Sequence, residues 1–145
     1  MTEGAIMKIV ITSHGELCEG ILKSYQMIAG NIDIFTPVKL DDKGITDFSQ
    51  RLIHTLDHLT QNEPVLVLCD LVGGTPYNEA FRYALANPNK IQIVAGFNLP
   101  ILIEVGSAAE TETDLNSLVQ LALQTGQSSI SVASLNDDDI QEPIF

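Results

Sequence analysis

The sequence predicts a doubly wound α/β fold: a mainly parallel sheet with helices on both faces. Three observations carry this. Short apolar, β-branched runs alternate with helical stretches along the chain, the pattern of a parallel sheet joined by crossover helices. Two of the runs end in loops bearing reactive residue types, Ser13-His14-Gly15 and Asp70-Leu71-Val72-Gly73-Gly74-Thr75-Pro76, and open parallel sheets keep their chemistry in loops at the carboxyl ends of strands. Finally, right-handed crossovers leave few topologies. The order 2-1-3-4 makes strands 1 and 3 neighbours at the switch point, which brings these two loops to one crevice.

Each element has its own warrant. Lys8–Ser13 is an apolar run bounded by polar residues and reads as a buried strand. Gly15–Ala29 follows as a helix with Leu17, Ile21, Tyr25 and Ile28 on one face and Gly30 as its stop. Ile32–Val38 reads as the second strand, and Ile45–Thr60 as a helix with the stripe Ile45, Phe48, Leu52, Leu56, Leu59. Val65–Asp70 is the clearest strand. Thr75 then offers an N-cap and Pro76 a first helical residue, for a helix reaching about Asn87 before Pro88. Ile91–Ala95 is the fourth strand, Pro100–Ala109 a short helix, and Asp114–Thr125 another ended by Gly126. Ser129–Ser134 reads as a fifth strand. Residues 1–135 are expected to form one domain, and the acidic stretch 136–145 a loose tail.

Composition narrows the function. The chain has 145 residues, 45% of them hydrophobic, enough for a core, yet no apolar run approaches the roughly 18 residues that span a bilayer. The start lacks the basic segment of a signal peptide, and Met7 is an alternative first residue; a cytoplasmic location is expected. A formal charge of −12 with seven Lys and Arg argues against nucleic-acid binding, which draws on basic patches, and suits basic protein partners. Two cysteines make no disulfide framework. Cys18 and Cys69 fall within a helix and an apolar strand and read as small core residues.

His14 is the sharpest candidate residue. A neutral imidazole nitrogen is a competent nucleophile near neutral pH, Gly15 permits close approach of backbone or ligand, and the helix start beyond it offers free N–H groups to an anion. Asp70 ends an otherwise apolar strand, where an unpaired carboxylate is costly. Were it to accept a hydrogen bond from one ring nitrogen of His14, the other would be fixed as the nucleophile, as in catalytic triads. Gly73 and Gly74 open a helix as an anion nest, with Thr75 placing a hydroxyl in the same crevice; the alternative is an ordinary turn. His54 and His58, four apart, lie opposite the Leu52–Leu56 stripe and read as solvated. Asp137-Asp138-Asp139 lacks a calcium-loop pattern. Nothing here calls for a metal or other cofactor.

These motifs resemble the enzyme IIA domains of the mannose family in the bacterial sugar phosphotransferase system. The resemblance rests on Ile9-Val10-Ile11-Thr12-Ser13-His14-Gly15, on Asp70-Leu71-Val72-Gly73-Gly74-Thr75-Pro76-Tyr77-Asn78 and on Val94-Ala95-Gly96-Phe97-Asn98-Leu99-Pro100, in that order. It implies that His14 accepts a phosphoryl group on Nε2 from the histidine phosphocarrier protein and passes it to enzyme IIB, with Asp70 on the other ring nitrogen and Thr75 near the site. The membrane permease would be met only indirectly. It also implies a homodimer in which the last strand, Ser129–Ser134, is antiparallel and exchanged between subunits, and a IIB that is a separate polypeptide. The phosphotransfer subunit of dihydroxyacetone kinase is a related alternative, disfavoured by Gly73 through Pro76. A non-covalent anion-binding regulatory module is the rival in another class, and a flavin-binding domain a third reading, weakened by a first loop poor in Ser and Thr.

Overall fold

The computed structural model describes residues 7–135; the acidic tail expected from Asn136 lies outside the described residues. The elements run β1 (Ile9–His14), α1 (Leu17–Ala29), β2 (Phe35–Leu40), α2 (Ile45–Leu59), β3 (Val65–Cys69), α3 (Thr75–Ala86), β4 (Ile91–Ala95), α4 (Leu99–Ala108) and α5 (Leu115–Ser128). The four strands form one sheet in the order β2-β1-β3-β4, every pairing parallel, as the alternating pattern predicts.

Side chains alternate across the pleat, and the core splits accordingly. Ile9, Ile11, Leu66 and Leu68 point to one face, where Cys18, Leu22 and Tyr25 of α1, Ile101, Leu102 and Val105 of α4, and Leu118 and Ala122 of α5 cover them. Val10, Val65, Val67 and Cys69 point to the other, under Phe48, Leu52 and Leu56 of α2 and Ala80 and Tyr83 of α3. All five residues of β3 are buried, because it is a central strand covered on both faces. Pro37 sits inside β2, which among the described residues pairs only with β1. An edge strand has a free side on which the missing N–H costs little.

Four expectations need correction. Helix α1 begins at Leu17 rather than Gly15, and its buried stripe is Cys18, Leu22, Tyr25; Leu17 is exposed. The cause is Gly15, whose left-handed φ of +61° resets the chain before the helix starts. Strand β2 begins three residues late, because the backbone N–H of Phe35 turns back to the carbonyl of Ile32 at 2.9 Å. Gly126 does not stop α5, which continues to Ser128. A Cβ at position 126 would meet Ile101 Cδ1 at 3.0 Å, so this glycine lets α4 and α5 pack closely. Lastly, residues 129–135 form no strand in the single chain. Ile130, Val132 and Leu135 are all exposed.

Candidate functional site

The site is built where β1 and β3 end side by side, with Thr12 opposite Cys69. Near the end of β1 the chain is pinned by Ser13, fully buried, whose hydroxyl donates to the Gly15 carbonyl at 2.9 Å and accepts from the Cys18 N–H at 2.8 Å. The Gly15 N–H continues the ladder to the Leu40 carbonyl at 2.7 Å. His14 is thereby carried to the rim, its side chain 46% exposed, while Asp70 follows the last residue of β3 with its side chain 7% exposed.

The Asp70 carboxylate is held by three hydrogen bonds. Oδ2 accepts the His14 backbone N–H at 2.9 Å and meets ring Nδ1 at 2.8 Å, while Oδ1 accepts the Leu71 N–H at 3.0 Å. Burial pushes the carboxyl's pKa up, but the backbone and ring hydrogen bonds from His14, the charge of that ring and the Leu71 N–H outweigh it and leave the value below the usual one. Asp70 is therefore ionised at neutral pH and can only accept. Nδ1 must carry the proton it shares, which leaves the lone pair of a neutral ring on Nε2. No hydrogen bond reaches Nε2 among the described residues.

The third wall is the start of α3. Thr75 is its first residue and Gly74 its N-cap, without a side-chain capping bond; the expectation that Thr75 caps the helix and Pro76 leads it is off by one residue. The Thr75 hydroxyl makes no hydrogen bond among the described residues. Gly73 has φ +85°, and its carbonyl accepts from Asn78 Nδ2 at 3.1 Å. No acidic residue stands in the first turn of α3, so its free N–H groups can meet an anion without a competing carboxylate. The structure thus brings His14, Gly15, Asp70, Gly73, Gly74 and Thr75 to one rim.

Other candidates fall elsewhere. Cys18 and Cys69 are buried. Burial raises both thiols, that of Cys69 to about 12 with help from the Asp70 charge, so they stay protonated core residues. His54 and His58 are exposed on α2, and no group of three or more His, Cys, Asp or Glu able to hold a metal occurs among the described residues. A cavity of about 430 Å³ lies at the amino-terminal end of the strands, lined by Pro64, Asn89, Gln92, Thr113 and Asn116 among others, and includes neither His14 nor Asp70. Ser13 and Asn78, which hold the two loops, carry no motif in the sequence that marks them. Their signal is weak: a small hydrogen-bonding residue beside a glycine that must take φ > 0.

An open parallel sheet of order 2-1-3-4 with an aspartate-held histidine at its switch point defines a doubly wound α/β protein that presents one imidazole nitrogen to solvent. The family model described as EIIA-man, PTS system fructose IIA component, matches residues 8–123, and the chain belongs to that family, as a mannose-family enzyme IIA component of the sugar phosphotransferase system. It is 31% identical over 130 residues to the fructose-specific EIIA component of Bacillus subtilis, covering 89% of this chain and 88% of that one. Against the mannose-specific EIIAB component of Escherichia coli K12 the identity is 31% over 128 residues, covering 84% of this chain but 38% of the relative, so the chain spans well under half of that protein's length. The structure of the mannose/sorbose-specific IIA subunit from Enterococcus faecalis superposes with a TM-score of 0.80 at 32% identity, covering 92% of this chain and 98% of that one. Among the described residues, no helix is long and apolar enough to cross a membrane.

Proposed function

We propose that this chain is a phosphocarrier that cycles through phospho-His14. The phosphorylated histidine phosphocarrier protein is the donor and a histidine of enzyme IIB the acceptor, both met in the cytoplasm. The observation that carries the reading is the 2.8 Å contact between His14 Nδ1 and Asp70 Oδ2. With Nδ1 protonated, the Nε2 lone pair attacks phosphorus in line. The new N–P bond forms as the bond to the donor's nitrogen breaks, and no proton has to leave the ring. The ring becomes cationic, and Asp70 stabilises that charge where it develops. The N–H groups at the start of α3 and the Thr75 hydroxyl receive the phosphoryl oxygens. Most of the catalysis is positioning and electrostatics.

A protein partner fits the surroundings. Leu71 is 51% exposed and Val72 70% in the loop that carries Asp70, and exposed Leu17 opens the helix that follows His14, so apolar side chains stand in solvent on both segments that carry the site. Such exposed apolar groups mark contact surfaces, and the net charge of −12 favours a basic partner. Intact-mass spectrometry after incubation with phosphoenolpyruvate, enzyme I and the phosphocarrier protein tests the reading. One acid-labile phosphoryl group is expected, abolished in His14→Ala and kept in His54→Ala and His58→Ala. Labelling that survives in His14→Ala overturns it.

A further inference from the structure

Three glycines border the candidate site, for different reasons. Gly15 and Gly73 have φ of +61° and +85°, where any side chain is strained. Gly74 has φ −80° and ψ 170°, extended backbone open to every residue type, so conformation does not require a glycine there. Space does. A Cβ on residue 74 would lie 2.5 Å from Cε1 and 3.1 Å from Nε2 of His14, and 3.4 Å from Leu71 Cδ1. The first distance is far inside van der Waals contact.

We infer that Gly74 is a positioning residue for His14: the missing side chain leaves the slot in which the ring reaches Asp70 through Nδ1 while Nε2 stays beside the start of α3. The group that would have to yield to a methyl is the end of a side chain that is 46% exposed, not backbone and not core. An alanine therefore leaves the fold in place and moves the ring, turning Nδ1 off Oδ2. The pair Gly73-Gly74 thus divides its work. Gly73 makes the turn, and Gly74 makes room for the imidazole. The inference rests on the phosphocarrier reading for its kinetic consequence but not for its geometric one.

The test is Gly74→Ala in the full chain, with Gly20→Ala as the control, since nothing lies within 4 Å of a Cβ at Gly20 on α1. Three readouts are taken: thermal unfolding, the ring-nitrogen NMR signals of His14, and the rate of phosphoryl transfer from the phosphorylated carrier. Gly74→Ala should unfold cooperatively near the wild-type temperature, lose the single Nδ1–H tautomer signature, and transfer on the order of 100-fold more slowly, the loss that a misplacement near 1 Å brings. Gly20→Ala should keep the wild-type ring signals and rate. Because the effect runs through the His14–Asp70 contact, adding Asp70→Asn to Gly74→Ala should slow transfer little beyond either single change. Wild-type ring signals in Gly74→Ala, fully multiplied losses in the double variant, or loss of cooperative unfolding in Gly74→Ala each overturn the inference. If the wild-type chain takes up no phosphoryl group while the ring signals still respond to Gly74→Ala, it is the carrier reading that fails.

Discussion

A single oxygen, Asp70 Oδ2, holds His14 twice, by the backbone N–H at 2.9 Å and by ring Nδ1 at 2.8 Å. The first bond ties the end of β1 to the end of β3 beyond the last ladder pair; the second sets the ring's tautomer. Strand pairing and ring orientation therefore share one acceptor, and a displaced carboxylate disturbs both. An amide at position 70 has one oxygen to accept with and an NH₂ that can only donate. It cannot offer the charge that a cationic phosphorylated ring needs.

Asp70→Asn should accordingly fold and yet transfer slowly. The expected loss is about 10- to 1000-fold, corresponding to roughly 1.5–4 kcal/mol of orientation and charge stabilisation. Rapid-quench measurement of transfer from the phosphorylated carrier reads it directly. An unchanged rate in a folded variant would reduce Asp70 to a structural tie between β1 and β3.

The same residue should leave a mark on acid stability. Its folded pKa lies below the ordinary value of 3.8, so the unfolded chain binds this proton first as pH falls. The stabilisation Asp70 provides is thus complete well above 3.8 and is lost as pH drops past that value toward the lowered folded pKa. Denaturant unfolding of wild type and Asp70→Asn at a series of pH values should show the wild-type advantage shrinking only in that acid window. An advantage that persists undiminished at the lowest pH at which both still fold would contradict the assignment.

How far the sequence alone could go is clearest at particular residues. The central strand β3 was legible because burial on both faces leaves an unbroken apolar run. The meeting of His14 with Asp70 followed from strand order and needed no side-chain information. Local phase was harder to see: Leu17 and Cys18 are equally plausible leaders of an apolar stripe, and only the left-handed turn at Gly15 decides between them. Gly126 reads as a helix stop because glycine usually is one, whereas its role depends on Ile101, a neighbour distant in the chain. Gly74 is the sharpest instance. Within a Gly-Gly pair nothing marks which residue makes the turn and which makes room for an imidazole.

Thr12 offers a stability test independent of phosphoryl transfer. It lies on β1 between Val38 and Cys69, is fully buried, and its hydroxyl has no hydrogen-bond partner among the described residues. An unsatisfied buried hydroxyl is destabilising, and valine has nearly the same shape without it. Thr12→Val should therefore raise stability by about 1–2 kcal/mol in equilibrium unfolding. A destabilised variant would mean that the hydroxyl finds a partner, such as a buried water, that valine cannot replace.

The last prediction concerns assembly. Residues 129–135 place Ile130 and Val132 on alternate positions, largely in solvent, directly after α5, while among the described residues β4 pairs only with β3 and leaves its other edge open. An open parallel-sheet edge and an exposed apolar segment are both liabilities that proteins cover. Exchange of the segment across a two-fold axis would cover both at once and make the dimer obligate. Sedimentation should show a dimer for the full chain. Ile130→Asp combined with Val132→Asp should shift it toward monomer, because two carboxylates cannot enter an apolar ladder position unpaired. Removal of the chain after Ser129 should do the same while leaving α5 whole, since that helix ends at Ser128. A full-length chain that sediments as a stable monomer, or an aspartate variant that dimerises as tightly as wild type, would show that the segment is not the strand that joins two subunits.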